Sequence, residues 1–417
     1  MEYGCIGERL VHSFSKDIHA KLFDYSYELK ELTPDEVEFF LKERSFSAVN
    51  VTIPYKQTVI PYLDEVDNIA KEIGAVNTIV NRNGRIVGYN TDFLGLKALI
   101  EKTNITISNK KVLILGSGGT SKTAFAVASV LGARGIFRVS RCGNDGCITY
   151  EEAKEKHTDA DVIINTTPSG MYPNNDTMPI DISYFPSLIG IVDAVYNPLR
   201  SQLVLSALEK GIIAEGGLYM LVAQAVFAAE LFTNTKIQKE KIDEVFAEIY
   251  NQKKNLVLIG MPGSGKTTLG NLVATELNMP FVDTDELIKE KTGKTASEII
   301  LESGEEHFRD IESSVIRDVS SKQGFVIATG GGAILRPENR RALKENGTVV
   351  FLNRPLEKLA ITNDRPLSSD FEKLKKRYEE RYEIYCNTAN AILDCSDDVI
   401  ENSNKIKDAF LNENSSN

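Results

Sequence analysis

Gly260-Met261-Pro262-Gly263-Ser264-Gly265-Lys266-Thr267-Thr268 follows the apolar run Leu256–Ile259 and opens a helical pattern. This is the spacing G-x-x-x-x-G-K-[ST], between a strand and a helix as a phosphate-gripping loop requires. Gly260, Gly263 and Gly265 let backbone N–H groups curl round an anion, and the helix mouth adds attraction. Lys266 is placed for the β- and γ-phosphates of ATP and the Thr267 hydroxyl for Mg²⁺, so the chemistry is phosphoryl transfer. Further on, Phe281–Asp285 reads as a strand end with two carboxylates; alternate strand residues share a face, so Asp283 and Asp285 can serve one site. The plainer alternative is that Asp285 caps the next helix. Arg309 and Glu312 lie three apart on a helical stretch and can pair, presenting a fixed guanidinium fork to a carboxylate. Gly330-Gly331-Gly332 would let a ring approach the backbone.

A second phosphate signal lies upstream. Gly116-Ser117-Gly118-Gly119 joins the buried-strand run Lys111–Leu115 to a helical stretch from Thr120, the setting of a dinucleotide turn. Ser121 replaces the third glycine of G-x-G-x-x-G. The next strand, Gly135–Ser140, ends in Arg141 instead of an acid, which suits the extra phosphate of NADP over NAD. Other candidates are weaker by themselves. Ser15 at a helix mouth reads as a cap, Asp92 as a cap for the helix from Phe93, and Lys56 as a solvated lysine past the strand Ala48–Pro54.

The elements needed to hold these groups follow from periodicity. Asn83-Gly84 between Gly74–Val80 and Ile86–Tyr89 is a strong hairpin signal. Ala160–Thr166 and Leu188–Val195 read as parallel strands whose ends, Asn165–Met171 and Asp193–Pro198, line a cofactor cleft. Leu221–Leu231 is an apolar helix carrying Gln224. The chain has 417 residues, 42% hydrophobic and 26% charged, which is ordinary for two or three soluble domains. Its net charge of −11 argues against nucleic-acid or anionic-membrane partners, and no apolar stretch is long enough to span a bilayer. Five scattered cysteines and no leader-like N-terminus point to reduced thiols in the cytoplasm.

In order along residues 1–250, Ser13-Phe14-Ser15, Asn50–Lys56, Gly74–Thr78, Asn90-Thr91-Asp92, Gly116–Gly119, Asn165–Met171, Asp193–Pro198 and Gly217–Gln224 resemble the shikimate dehydrogenase family. The resemblance implies reversible NADP-dependent reduction of 3-dehydroshikimate to shikimate. Ser13 and Ser15 would hold the substrate carboxylate, while Thr52, Asn77, Tyr196 and Gln224 would contact its hydroxyls or position the ring. Lys56 and Asp92 would form the proton-handling pair, Met220 would pack on the nicotinamide, and Gly116, Gly118, Gly119 and Arg141 would hold the cofactor. A ketone accepting hydride needs a proton for the developing alkoxide, and a lysine beside a carboxylate can give one. The family's adenine-side Asn-Arg-Thr stands here as Ser140-Arg141-Cys142, with Asp145 where a second basic residue is expected, which would weaken the preference for NADP over NAD.

The remaining motifs, with Arg365-Pro366-Leu367 and Arg381-x-x-x-Tyr385, resemble shikimate kinase. That resemblance implies that Asp285 orients the 3-hydroxyl and accepts its proton. Arg309 and Arg381 would clamp the carboxylate with Glu312 positioning Arg309, and Gly330, Gly331 and Gly332 would line the ring. Asp283 would bind Mg²⁺ with Thr267, and Arg365 on a lid would reach the transferring phosphate with Lys266. Ile361 stands where relatives often carry an arginine facing adenine. The expected architecture is α/β throughout: a substrate domain over 1–100 completed by helices in 217–250, a Rossmann NADP-binding domain over 101–216, a linker at 251–254, and a P-loop kinase with a parallel sheet over 255–417. The expected function is two consecutive steps toward chorismate; the alternative is a quinate/shikimate dehydrogenase fused to a different P-loop small-molecule or nucleotide kinase.

Overall fold

Short apolar runs parted by turn residues build three sheets, seen in a computed structural model that describes residues 1–10, 14–359 and 371–412. Two units divide the chain, Met1–Ile249 and Tyr250–Asn417. Ser13, Ile361 and Arg365 lie outside the described residues.

The first sheet of unit one contains β1 (Tyr3–Gly7), β2 (Tyr27–Glu31), β3 (Ala48–Val51), β4 (Glu65–Val66), β5 (Thr78–Arg82) and β6 (Arg85–Tyr89), in the order β2-β1-β3-β5-β6-β4. β1 runs parallel to β2 and β3, whereas β5 is antiparallel to β3 and β6. Asn83 and Gly84 have φ of 55° and 89°, the left-handed pair that a tight hairpin needs between Arg82 and Arg85. β3 ends at Val51, earlier than the Ala48–Pro54 reading, since Pro54 has no N–H to extend the ladder.

Behind this sheet the Thr91–Thr103 helix packs on Leu218–Thr233. The latter is buried nearly all round, as its continuous apolar sequence requires. Contact is close: a Cβ on Gly95 would stand 2.7 Å from the Met220 carbonyl oxygen. A segment late in unit one thus returns to the elements of its first hundred residues.

The second sheet holds β7 (Lys111–Leu115), β8 (Gly135–Val139), β9 (Val162–Asn165), β10 (Gly190–Asp193) and β11 (Ile213–Glu215), all parallel, in the order β11-β10-β9-β7-β8. From β7 the chain first adds β8 on one side and then β9 on the other. That reversal opens a crevice beyond the carboxyl ends of β7 and β9, where open α/β sheets bind ligands.

Unit two has one sheet: β12 (Asn255–Ile259), β13 (Phe281–Asp283), β14 (Val326–Ala328), β15 (Gly347–Asn353) and β16 (Ala391–Asp394), in the parallel order β13-β14-β12-β15-β16. β12 is central and buried on both faces. Val257 and Ile259 join one apolar cluster while Leu256 and Leu258 join another, the alternation a strand imposes.

Residues 251–253, read from sequence as linker, instead finish the Glu240–Lys253 helix, because Gln and Lys are good helix formers and no breaker intervenes. Lys254 is buried at 1% exposure. Its ammonium donates to the Phe410 carbonyl and lies 4.3 Å from the Phe410 ring centre. The five cysteines form no disulfide. No helix among the described residues is long and apolar enough to cross a membrane.

The Leu218–Thr233 helix starts where Gly217 meets the chain after β10. A Cβ there would sit 2.3 Å from the Ala194 carbonyl oxygen and 2.6 Å from its carbon, both backbone atoms that cannot swing aside. Gly217→Ala is therefore expected to destabilise unit one by about 2 kcal/mol, read as a lowered urea midpoint for that unit with unit two's transition unmoved.

Candidate active sites

In unit one the turn after β3 delivers Lys56 and the first turn of the Thr91–Thr103 helix delivers Asp92. Their charged atoms meet at 2.6 Å, with side chains 16% and 9% exposed. Neither isolated reading of these residues holds. Lys56 is paired, not solvated. Asn90 takes the cap, its Oδ1 accepting from Phe93 N–H at 3.1 Å and its Nδ2 donating to the Ala75 carbonyl at 2.9 Å, which leaves Asp92 to face the lysine. Ser15 likewise does not cap. Phe14 precedes the Ser15–His19 helix, and Ser15 is buried as its first residue.

Asn77 accepts from Thr91 N–H at 2.7 Å and donates from Nδ2 to Thr91 Oγ1 at 3.0 Å and to Gln224 Oε1 at 3.4 Å. Asn77, Thr91, Gln224 and Asp92 therefore share one buried polar patch, with Met220 buried one helical turn before Gln224. Thr52 follows β3, its N–H bonded to the Ile6 carbonyl at 3.0 Å. Tyr196 lies edge-on to Phe14, ring centres 5.2 Å apart, and burial pushes its phenol up to about 12. Thr91 was not singled out from sequence as a contact; its place directly before Asp92 was the available signal.

The crevice of the second sheet is lined by Gly116 and the loops after β9 and β10. A Cβ on Gly116 would stand 2.6 Å from Thr166 Oγ1, so only glycine fits there. Gly118 precedes the Gly119–Val130 helix with no side-chain cap, and a Cβ built on it meets nothing within 4 Å, which leaves an open helix mouth suited to a diphosphate. Ser121, in place of the third glycine, is buried and donates to the Gly116 carbonyl at 2.7 Å, tying the turn to its helix. A Cβ on Gly119 would lie 3.9 Å from the Lys56 side chain, so the lysine and the dinucleotide turn adjoin. Arg141 is exposed after β8. Nearby, Arg138 donates to the Asp145 carbonyl, closing the same loop.

Asp193 ties the two loop ends together. It accepts from Asn165 Nδ2 at 2.9 Å, Val195 N–H at 2.9 Å and Ser201 Oγ at 2.5 Å. Burial still outweighs these donors and raises its pKa from 3.8 to about 6.

In unit two Gly260, Gly263 and Gly265 have φ of 149°, 85° and 94°, giving the loop its curl. Lys266 is folded over it, Nζ donating to the Gly260 and Met261 carbonyls at 2.9 Å each and lying 3.5 Å from Ser264 Oγ. Thr267 and Thr268 are exposed in the first helical turn. Thr267 donates to Asp283 Oδ2 at 2.7 Å. Asp283, closing β13, caps the Thr284–Thr292 helix by accepting from Asp285 N–H at 2.9 Å. The two aspartates therefore do not alternate along a strand as expected from sequence. The helix begins between them, with Asp283 as its cap and Asp285 in its first turn.

Around the triple glycine charged side chains converge. A Cβ on Gly330 would be 2.7 Å from Asp285 Oδ1 and 2.9 Å from Glu312 Oε1, and one on Gly332 would be 2.3 Å from Arg309 Nη1. Arg309 pairs with Glu312 at 2.7 Å, as their spacing predicts, and with Glu305 at 2.9 Å. Glu305 was missed in the sequence, although its i,i+4 spacing to Arg309 could have revealed it. Burial raises the pKa of Glu312, with Arg309 opposing. Arg381 Nη1 and Tyr385 Oη both donate to the Gly331 carbonyl, at 3.1 and 2.5 Å. Thr284 Oγ1 accepts from Gly330 N–H at 3.0 Å. Among the described residues no three His, Cys, Asp or Glu side chains are grouped to hold a metal. The Thr267–Asp283 pair fits a magnesium ion whose other ligands are phosphate oxygens and water.

Asp193 generates a pH dependence. Below pH 4 it is protonated folded or unfolded. Between about 4 and 6 the unfolded chain releases the proton first, so unit one loses up to about 1.4 kcal/mol of stability per pH unit, and above 6 the whole cost is present. Asp193→Asn can keep Oδ1 accepting from Asn165 and Val195 and donate to Ser201. It is expected to flatten the fall in unit one's urea midpoint over that window.

Comparison with known proteins gives a family assignment for each unit. The family model for the shikimate dehydrogenase substrate binding domain matches residues 5–79, and that for shikimate kinase matches 262–411. A shikimate dehydrogenase (NADP(+)) of Clostridium perfringens is 34% identical over 265 residues, which is 59% of this chain and 97% of that protein. Among solved structures, shikimate dehydrogenase 1 from Peptoclostridium difficile has a TM-score of 0.56 and 34% identity, covering 60% of this chain and 98% of its own. A chorismate mutase/shikimate 5-dehydrogenase fusion protein from Clostridium acetobutylicum scores 0.55 with 34% identity, covering 59% and 96%. Shikimate 5-dehydrogenase from Thermus thermophilus, in complex with NADP(H) and shikimate, scores 0.54 with 27% identity, covering 60% and 99%.

Proposed function

The chain belongs to the shikimate dehydrogenase family through its first half and carries a shikimate kinase domain in its second, and from that premise we propose which of its residues perform each reaction. It is a bifunctional enzyme of the shikimate pathway, an NADP-dependent oxidoreductase followed by an ATP-dependent phosphotransferase. The first half reduces 3-dehydroshikimate to shikimate and the second phosphorylates shikimate at its 3-hydroxyl. The observation that carries the residue roles is the Lys56–Asp92 contact of 2.6 Å beside the dinucleotide turn.

NADPH supplies the hydride. Lys56 gives a proton to the oxygen that gains negative charge, and Asp92 holds the ammonium in place by a charge-assisted hydrogen bond. Asn77, Gln224, Thr52 and Tyr196 orient the ring, Ser15 with Ser13 receives its carboxylate, and Met220 packs on the nicotinamide. Gly116, Gly118, Gly119 and Arg141 hold the dinucleotide. In the kinase half ATP supplies the phosphoryl group. Lys266 exchanges its carbonyl contacts for phosphate oxygens, and Thr267 with Asp283 holds magnesium. Asp285 orients the accepting hydroxyl and takes its proton, while Arg309, fixed by Glu312, and Arg381 bind the carboxylate. Arg365, outside the described residues, is assigned to the transferring phosphate. Residues 1–100 with 217–250 form the ring-acid domain, 101–216 the NADP domain and 255–417 the kinase. Small molecules in the cytoplasm are its partners, with no nucleic acid or membrane among them, a reading supported by the acidic charge and the unbridged cysteines.

Lys56→Ala is expected to lower dehydrogenase kcat by at least about a hundredfold and leave shikimate phosphorylation unchanged. Lys266→Ala is expected to do the reverse, by about a hundredfold or more. Separate assays of NADPH oxidation with 3-dehydroshikimate and of ATP consumption with shikimate check both; loss of both activities in either folded variant would refute two independent sites.

A further inference from the structure

Arg309 is held by two carboxylates in opposite surroundings. Glu312 Oε2 accepts from Nη1 at 2.7 Å with a side chain 1% exposed, and its other oxygen would lie 2.9 Å from a Cβ on Gly330. Glu305 Oε1 accepts from Nη2 at 2.9 Å with a side chain 54% exposed. Glu305 is also the first residue of the Glu305–Ser320 helix, directly after Gly304, whereas Glu312 lies in its middle. Letting go of Glu305 therefore costs little, the scale of a surface ion pair. Letting go of Glu312 would strand a charge in the interior, which costs far more.

Charge around the triple glycine points the same way. Arg309 presses on Gly332, Arg381 donates to the Gly331 carbonyl, and Asp285 and Glu312 both approach Gly330. With Glu305 on Arg309, three carboxylates face two guanidinium groups, and an entering carboxylate is repelled. With Glu305 turned to water, the other four charges balance. Arg309 itself is buried, so the Nη2 N–H that Glu305 releases needs a new acceptor close at hand.

We propose that Glu305 is a displaceable stand-in for the carboxylate of the phosphoryl acceptor. It pairs with Arg309 until an acid arrives, then swings into water and yields the Nη2 N–H to the newcomer. In doing so it weakens the grip of the kinase half on its own substrate, while Glu312 keeps the guanidinium in place throughout. The inference rests on the reading of Arg309 as a carboxylate contact.

The test follows ATP consumption by the intact chain with no NADP⁺ present, so that only the kinase half turns over. It compares KM for shikimate with that for its methyl ester, which keeps the 3-hydroxyl and loses the charge; the inhibition constant serves if the ester is not turned over. Glu305→Ala is expected to lower KM for shikimate about fivefold, the scale of one half-exposed ion pair. The value for the ester, KM for MgATP and the dehydrogenase activity should not change. Alanine is a strong helix former at an exposed site, so the variant folds. A rise in KM for shikimate would make Glu305 a second support for Arg309 and overturn the proposal. An unchanged KM, or an equal fall for acid and ester, would overturn it too, and each of these outcomes leaves the kinase assignment standing. Failure of the unaltered chain to consume ATP with shikimate would overturn both.

Discussion

An ammonium withdrawn from water needs a counter-charge, and Lys56 finds its own in Asp92 at 2.6 Å. Much of unit one follows from keeping those two groups together. The turn after β3 must present the lysine, and the Thr91–Thr103 helix must begin where Asp92 can meet it. For that the capping duty has to pass to Asn90, whose amide also grips the Ala75 carbonyl. Gly95 then lets the Leu218–Thr233 helix close on the same helix, which brings Gln224 and Met220 to the patch. Unit two solves the same problem with Arg309, held between Glu312 and Glu305 and pressed against Gly332.

Local spacing made part of this legible. The phosphate loop, the Asn83-Gly84 hairpin, the dinucleotide turn and the Arg309–Glu312 pair each depend on residues a few positions apart, so the chemistry is written in the motif itself. Isolated reading failed where two local roles competed for one residue. Ser15, Asp92 and Asp285 all have the right type to cap a helix. In the fold Phe14 precedes one helix, Asn90 caps the second and Asp283 the third, which releases all three for other partners. For Ser15 and Asp92 only the family resemblance pointed to those other roles; for Asp285 the expected strand alternation had pointed to a site as well.

The remainder was illegible because it is set by strands meeting at a distance. Asn50, Thr78 and Tyr27 are ordinary residues in their own strands, and nothing nearby in sequence marks them. The bonds from Tyr27 to Asn50 and from Asn50 to Thr78 arise from the order β2-β1-β3-β5, which no spacing rule supplies. Gly116 and Gly217 are similar: each is required by a neighbour far along the chain, Thr166 in one case and Ala194 in the other. The Asp193 bridge likewise joins two strand ends that become adjacent only when the sheet forms.

Lys254 governs how the kinase half can be excised. The family match begins at residue 262, yet a fragment cut there would lose β12, the central strand of its sheet, and the start of the loop. Starting at Asn255 would keep the strand but strip away the ammonium buried against the Phe410 carbonyl and ring, leaving the last described helix without that anchor. A fragment that keeps Lys254 therefore starts at the unit boundary, Tyr250, inside the Glu240–Lys253 helix, whose last four residues belong to the second unit while Phe246 packs on Tyr219 in the first.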